Sequence, residues 1–150
     1  MIDVLIAVHE FAFALPLLTG LVRELRRSPE SLRDVSVSLD RLADVLLKAG
    51  QADVEIDGAR KTPLDLYRES LGLSQQIVSE FGRSPESLHD LIVSFSRLAM
   101  MAFGQEDAEA GGAHLKRCFA ILEEIEARGW QDAQTGQFRR ALEAFAGGLG

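Results

Sequence analysis

The sequence predicts an all-α fold built from antiparallel helical hairpins that repeat along the chain. Residues 27–43 return as residues 83–99, at an offset of 56 residues and with most positions identical. Helix start and stop signals bracket the same segments, and no segment shows convincing alternation of apolar and polar residues. These observations indicate a duplicated helical unit, because chance does not explain a repeat of this length.

Prolines and glycines mark the ends of the predicted helices. Pro29, Pro63 and Pro85 each follow a serine or threonine that can cap a helix, and proline is well tolerated at the first helical position. Glycine closes helices because it adopts the left-handed conformation without a steric penalty. Gly50, Gly82, Gly104 and Gly129 are the predicted stops, and the predicted helices span residues 29–49, 63–81, 85–103 and 113–128.

The N-terminal residues predict a buried helix. Residues 2–15 carry apolar side chains on too many sides for a single stripe, so the repeats or a second copy of the chain must cover them. Residues 1–22 contain no lysine or arginine, include acidic residues and are interrupted by Pro16. These features disfavour a signal peptide and a membrane span. We therefore expect a homodimer or a tight hetero-complex, and no membrane contact.

The 150 residues are predicted to form one helical-repeat domain, since a chain of this length can bury a single core. Phe138, Leu142 and Phe145 lie at helical spacing and predict a C-terminal capping helix before a frayed glycine-rich end. The predicted organisation is an N-terminal helix at 1–26, a first repeat at 27–82, a second repeat at 83–129, and the capping helix with its frayed end at 130–150.

Charge and composition argue against several classes of function. The net charge of −7 disfavours a phosphate-binding surface, so we expect no nucleic-acid partner. Cys118 is the only cysteine, which excludes an internal disulfide and favours the cytoplasm. His114 lies one helical turn before Cys118, but two ligands do not make a structural zinc site. No phosphate-binding loop is present, and we expect neither a metal nor a cofactor.

Two motifs in the first repeat follow the spacing of a known helical repeat. They are Leu39-x-x-Leu42-Ala43-x-x-Leu46-x-x-x-Gly50 and Tyr67-x-x-Ser70-Leu71. They resemble the first and second helices of a tetratricopeptide repeat, of a bacterial type with long helices. The resemblance covers about residues 27–129 and implies an α-solenoid of two repeats, whose groove binds a peptide or helix of a partner protein.

The chain departs from the repeat pattern at three places. Residues 52–61 are predicted to form an inserted acidic loop, because sixteen residues separate Gly50 from Tyr67 where the pattern has eight. In the second repeat, Glu106 stands at the glycine position and Leu115 at the aromatic position. Two repeats are also few for a continuous core, so the N-terminal and C-terminal helices are expected to complete the cover.

The resemblance also implies which residues face the groove. A feature kept in both copies serves their shared packing, so specific recognition is expected where the copies differ. Asp40 and Asp44 form an acidic pair beside the apolar surface of Met100 and Phe103. This combination favours a peptide with a basic residue and an apolar anchor, although Met100 fits equally well as core filler. The predicted partner-binding residues are Asp40, Asp44 and Lys48 in the first copy and Ser96, Met100 and Phe103 in the second.

Three hypotheses about function remain open at this level. The first is a non-catalytic protein-interaction module that binds through the groove. The second is a regulatory or immunity-type protein that works by self-assembly through the apolar N-terminal helix, with the groove filled by its own chain. The third, and weakest, is an enzyme whose nucleophile, base and orienting acid are not recognisable from sequence logic.

Overall fold

The computed structural model describes residues 8, 10, 12–17, 19–20 and 28–149. The chain divides into two compact units, Met1–Phe81 (unit 1) and Gly82–Gly150 (unit 2), and the boundary falls where the second repeat begins. The described residues are mostly helical, which confirms the all-α class. The solenoid arrangement of tetratricopeptide type stays a prediction.

Five long helices and one small sheet account for residues 29–149. Unit 1 contains α1 (Pro29–Ala49), β1 (Val54–Ile56), β2 (Ala59–Lys61) and α2 (Pro63–Phe81). Unit 2 contains α3 (Pro85–Gly104), α4 (Ala108–Ala127) and α5 (Ala133–Leu149).

The first three of these helices begin where the sequence predicts. Pro29, Pro63 and Pro85 are the first residues of α1, α2 and α3. The hydroxyls of Ser28 and Ser84 accept hydrogen bonds from the backbone three residues later, and a capping box closes each helix start. The caps satisfy backbone donors that would otherwise lack a partner inside the helix.

The two helical pairs share one inner contact. In unit 1 the hydroxyl oxygens of Ser36 and Ser70 lie 2.7 Å apart, across a separation of 34 residues. In unit 2 the thiol of Cys118 points to the backbone carbonyl of Ile92 at 3.7 Å, across 26 residues. First helices are offset by 56 residues and second helices by 48, so unit 1 carries eight extra residues between its helices. In both units, a small side chain on the second helix, Ser70 or Cys118, contacts the equivalent residue of the first helix.

The extra residues include a β-hairpin, which was not predicted within the inserted acidic loop. β1 and β2 pair antiparallel, with Val54 opposite Lys61 and Ile56 opposite Ala59. Asp57 and Gly58 form the turn with φ of 50° and 79°. Two consecutive positive φ values are typical of the tight turns that match the twist of a hairpin. Two three-residue strands are too short for the alternation of apolar and polar residues to be detected from the sequence.

The turn after α3 also differs from the prediction. Gly104 was expected to close this helix, yet it is the last helical residue, and Glu106 adopts the positive φ of 61°. Glu106 is equivalent to Gly50, which closes α1 with φ of 70°. The side chain of Asp107 then caps α4 by accepting a hydrogen bond of 3.1 Å from the Ala110 N–H. Because of this cap, α4 begins five residues before the predicted start at residue 113.

The C-terminal helix packs within unit 2. Phe145 of α5 lies against Phe103 with ring centroids 5.5 Å apart, and Phe138 meets His89 edge-on at 5.7 Å. Leu142 between them is buried. A helix is present in the predicted C-terminal region, and it continues through two glycines to Leu149. Gly150 lies outside the described residues.

The predicted N-terminal helix falls mostly outside the described residues. Residues 12–17 are helical and include Pro16. Val8 and Leu15 are buried, whereas Phe13 and Leu17 are 77% and 60% exposed. The described N-terminal residues therefore include both buried and exposed apolar side chains.

Candidate functional site

The three predicted binding residues of the first copy lie on α1 in different surroundings. Asp40 is buried, with 7% of its surface exposed. The carboxylate of Asp44 accepts a hydrogen bond from the hydroxyl of Tyr67, which ties α1 to α2. Lys48 is exposed in the last turn of α1, where its charge faces the negative end of the helix. Asp40 and Asp44 are therefore part of the folded hairpin, and their role in binding stays a prediction.

The three predicted residues of the second copy lie on α3. The hydroxyl of Ser96 donates to the carbonyl oxygen of Val93 at 2.8 Å. Phe103 is partly buried and contacts the ring of Phe145. Met100 stands out because 61% of its surface is exposed. Only this member of the trio presents a largely uncovered apolar side chain.

The offsets between the copies show how one polar contact is replaced. Asp44 is equivalent to Met100, and Tyr67 is equivalent to Leu115. Unit 1 thus has a carboxylate and a phenol that bond to each other. Unit 2 has two apolar side chains at the same positions, and one of them is the exposed Met100. Both units keep a contact between their two helices at the equivalent positions Ser36–Ser70 and Ile92–Cys118. At the second pair of equivalent positions, the polar pair Asp44–Tyr67 of unit 1 is replaced by the apolar pair Met100–Leu115 of unit 2.

Cys118 has the properties of a packing residue. Its side chain is completely buried, and burial raises the pKa of the thiol to about 11. A thiol with this pKa is almost entirely protonated at neutral pH and is a poor nucleophile and metal ligand. His114, one turn earlier, stacks obliquely near Phe95 with centroids 6.1 Å apart. Within residues 28–149 and the described N-terminal positions, no three His, Cys, Asp or Glu side chains group to hold a metal ion.

Two glutamates near the end of α4, Glu124 and Glu126, form ion pairs with neighbouring segments. Glu124 accepts two hydrogen bonds of 2.7 Å from the guanidinium of Arg83, and Arg128 approaches it at 3.1 Å. The bond from Arg83 is the main reason why the pKa of Glu124 lies below its ordinary value. Glu126 is 2.6 Å from Arg139 of α5. These carboxylates fasten α4 to the segment before α3 and to α5, which is a structural role.

No family model, curated protein or solved structure matches this chain. The resemblance to tetratricopeptide repeats therefore depends on the two sequence motifs alone. None of the helices in the described part of the chain is both long and apolar enough to cross a membrane.

Unit 1 contains a cleft that was not predicted from the sequence. It has a volume of about 1050 Å³ and lies between the N-terminal helical residues and the β-hairpin. Phe13 and Leu17 line one side, and Glu55 and Asp57 line the other. An Asp-Gly pair after Val54 and Ile56 is a recognised hairpin signal and would have found one wall. Nothing in the sequence places that wall next to Phe13.

Proposed function

We propose that the protein is a non-catalytic protein-interaction module that binds a peptide or helix of a partner protein. The support is the comparison of the two helical pairs. Both keep an inner contact at equivalent positions, between the hydroxyls of Ser36 and Ser70 and between the Cys118 thiol and the backbone carbonyl of Ile92. They differ on the outside, where a duplicated scaffold acquires its specificity.

Exposed Met100 is the observation that carries this proposal. It is 61% exposed on α3, at the position where α1 has the hydrogen-bonded Asp44. A methionine side chain adapts to irregular apolar surfaces, and it is used at binding sites for this reason. An aromatic or aliphatic anchor on the partner would bury the thioether and part of its surroundings.

Asp44 is the acidic residue best placed to add charge selectivity. Asp40 is buried, whereas the Asp44 carboxylate lies at the exposed rim of α1 beside Tyr67. A lysine or arginine of the partner would approach this rim and gain a screened electrostatic attraction. The ligand that the resemblance implies, and that we propose, is a segment that combines a basic residue with an apolar anchor.

Peptide selection tests the proposal. Peptides are selected on the full chain from a displayed random library, and their affinities are measured for wild type, Met100→Lys and Leu47→Lys. Leu47 is a suitable control because it is also an exposed apolar residue on a first helix, with 47% exposure. We expect Met100→Lys to abolish binding at any salt concentration and Leu47→Lys to preserve it. Equal binding to wild type and Met100→Lys would refute the Met100 surface as the site.

Asp44→Asn tests the acidic contribution separately. The change keeps a hydrogen-bond acceptor for Tyr67 and removes the charge. We expect a weakening that shrinks as salt rises, because the lost interaction is screened.

One observation favours self-assembly as a second candidate function. Phe13 and Leu17 are large apolar side chains with 77% and 60% exposure. A second copy of the chain would cover such residues. Sedimentation of the full chain and of a chain lacking residues 1–22 distinguishes the candidates, since only self-assembly predicts that the shortened chain becomes monomeric.

A further inference from the structure

We propose that the cleft between the N-terminal helical residues and the β-hairpin is a second binding site, which takes a short peptide with a lysine or arginine beside an apolar anchor. The site lies in unit 1. It goes beyond the Met100 surface proposed above and does not depend on it. The proposal combines three observations: an apolar wall, an acidic wall and a volume that fits several side chains.

The apolar wall is formed by the N-terminal helical residues. Phe13 and Leu17 are four residues apart, so they lie on the same face of the helix. Both line the cleft, and their exposures of 77% and 60% are among the largest of any big apolar side chain described. Val8 also lines the cleft but is buried, so the wall has a fixed base and an uncovered rim. Burial of this rim by a ligand would remove a substantial apolar area from water.

The opposite wall is formed by the hairpin and is acidic. Asp53, Glu55, Asp57 and Arg60 are the charged residues described in the lining. Arg60 donates a hydrogen bond to Asp53, and this pair neutralises itself. Among the lining residues that the structure describes, three carboxylates accompany one guanidinium, so acidic groups exceed basic groups by two. A cationic group on the ligand would complement this acidic excess.

The volume of the cleft is large enough for a short segment of a peptide. This volume of about 1050 Å³ is slightly above the usual range for binding pockets, roughly 300–1,000 Å³. A short peptide segment fits such a space, with one side chain against the apolar wall and one against the acidic wall.

Charge decides between a basic peptide and a second copy of this chain. The chain carries 23 acidic against 16 basic residues, and its net charge is −7. In a two-fold dimer built on this cleft, the same surface patch would occur on both copies. Both halves of that interface would then carry the acidic wall, and like charges at an interface oppose association. A basic ligand avoids this repulsion.

The experiment uses peptides selected on the full chain and compares two neutralised variants. Glu55→Gln with Asp57→Asn removes both charges of the cleft, and asparagine tolerates the positive φ of residue 57. The matched control is Glu109→Gln with Glu123→Gln, which removes two exposed carboxylates from α4. We expect the cleft variant to weaken binding roughly 2- to 30-fold at low ionic strength and less at high salt. The control variant is expected to bind as wild type does.

A second pair of variants tests the apolar wall. Leu17→Ala should weaken the same peptides about tenfold, whereas Leu47→Ala, also an exposed leucine, should leave their affinity unchanged. Circular dichroism of each variant shows that the fold is kept.

The outcomes separate this site from the Met100 surface. Selected peptides rich in lysine or arginine with an apolar anchor, sensitive to the cleft variants and indifferent to Met100→Lys, support the proposal. Peptides that depend on Met100 alone refute it and leave the proposed interaction module intact. A dimer that Glu55→Gln with Asp57→Asn strengthens would identify a second copy as the occupant and would also refute it.

Discussion

Glu106 adopts a left-handed backbone conformation. At the equivalent position of the first helical pair, this conformation is adopted by a glycine, Gly50. The φ of Glu106 is 61°, and that of Gly50 is 70°. The left-handed conformation costs a residue with a Cβ about 1–2 kcal/mol, because the Cβ crowds the following carbonyl oxygen. The turn after α3 therefore keeps the geometry of the repeat at the expense of local strain.

Replacing Glu106 by glycine should stabilise the protein. Relief of strain is partly offset by the larger conformational entropy of glycine in the unfolded chain, so we expect a gain of about 0.5–1 kcal/mol. Urea denaturation measures the change. Gly50→Ala is the matched variant and should destabilise by at least a similar amount, since it introduces a Cβ at the equivalent turn. A loss of stability in Glu106→Gly would show that the glutamate side chain makes a contact stronger than the strain.

At the scale of the elements, a glycine of α4 lies against an aromatic ring of α3. A Cβ added to Gly111 would lie 2.7 Å from the ring of Phe103, whereas a Cβ on Gly112 meets nothing within 4 Å. The Phe103 ring also contacts the ring of Phe145 of α5, with centroids 5.5 Å apart. A shift of the Phe103 ring would therefore disturb this second contact.

Two adjacent glycine substitutions in α4 should have opposite effects. Gly111→Ala is expected to destabilise by about 1–3 kcal/mol, because it overpacks the contact with Phe103. Gly112→Ala should stabilise by about 0.5–1 kcal/mol, because alanine is the better helix former and its methyl group enters open space. Thermal unfolding of both variants tests the pair. Stabilisation by both would show that α3 and α4 are not in close contact at Phe103.

The helices were predictable from the sequence because their signals are local. Pro29 and Pro85 with their preceding serines specify two starts without any knowledge of the partner helix. The start of α4 was predicted at residue 113, because two consecutive glycines, Gly111 and Gly112, are typical of a loop. The contact of Gly111 with the Phe103 ring explains why a glycine is needed inside the helix, and the sequence does not show this contact.

The predicted binding residues show the same limit. Periodicity places Asp40 and Asp44 one turn apart on the same face of α1, yet Asp40 is buried and Asp44 is exposed. Exposure depends on which neighbouring element covers a helical face, and sequence spacing carries no such information. The cleft in unit 1 was missed for this reason, since Phe13 and Asp57 are distant in sequence.

At the scale of the whole molecule, each unit has its own set of completely buried side chains. In unit 2 these belong to α3 and α4, and α5 covers them with Leu142. The ion pairs of Glu124 with Arg83 and of Glu126 with Arg139 also lie inside this unit. The completely buried side chains of unit 2 are Leu88, Ile92, Cys118, Leu122 and Ile125.

Residues 82–150 are therefore expected to fold as an isolated fragment. A domain of this size buries only about 60% of its unfolded surface, so its stability should be modest but its unfolding cooperative. Circular dichroism should show a helical spectrum and a single thermal transition. Gly111→Ala should lower the melting temperature of the fragment by roughly 4–8 °C per kcal/mol, because the contact with Phe103 lies wholly within it. A fragment that melts without cooperativity, or whose melting is unaffected by Gly111→Ala, would show that its core forms only in the presence of residues 1–81.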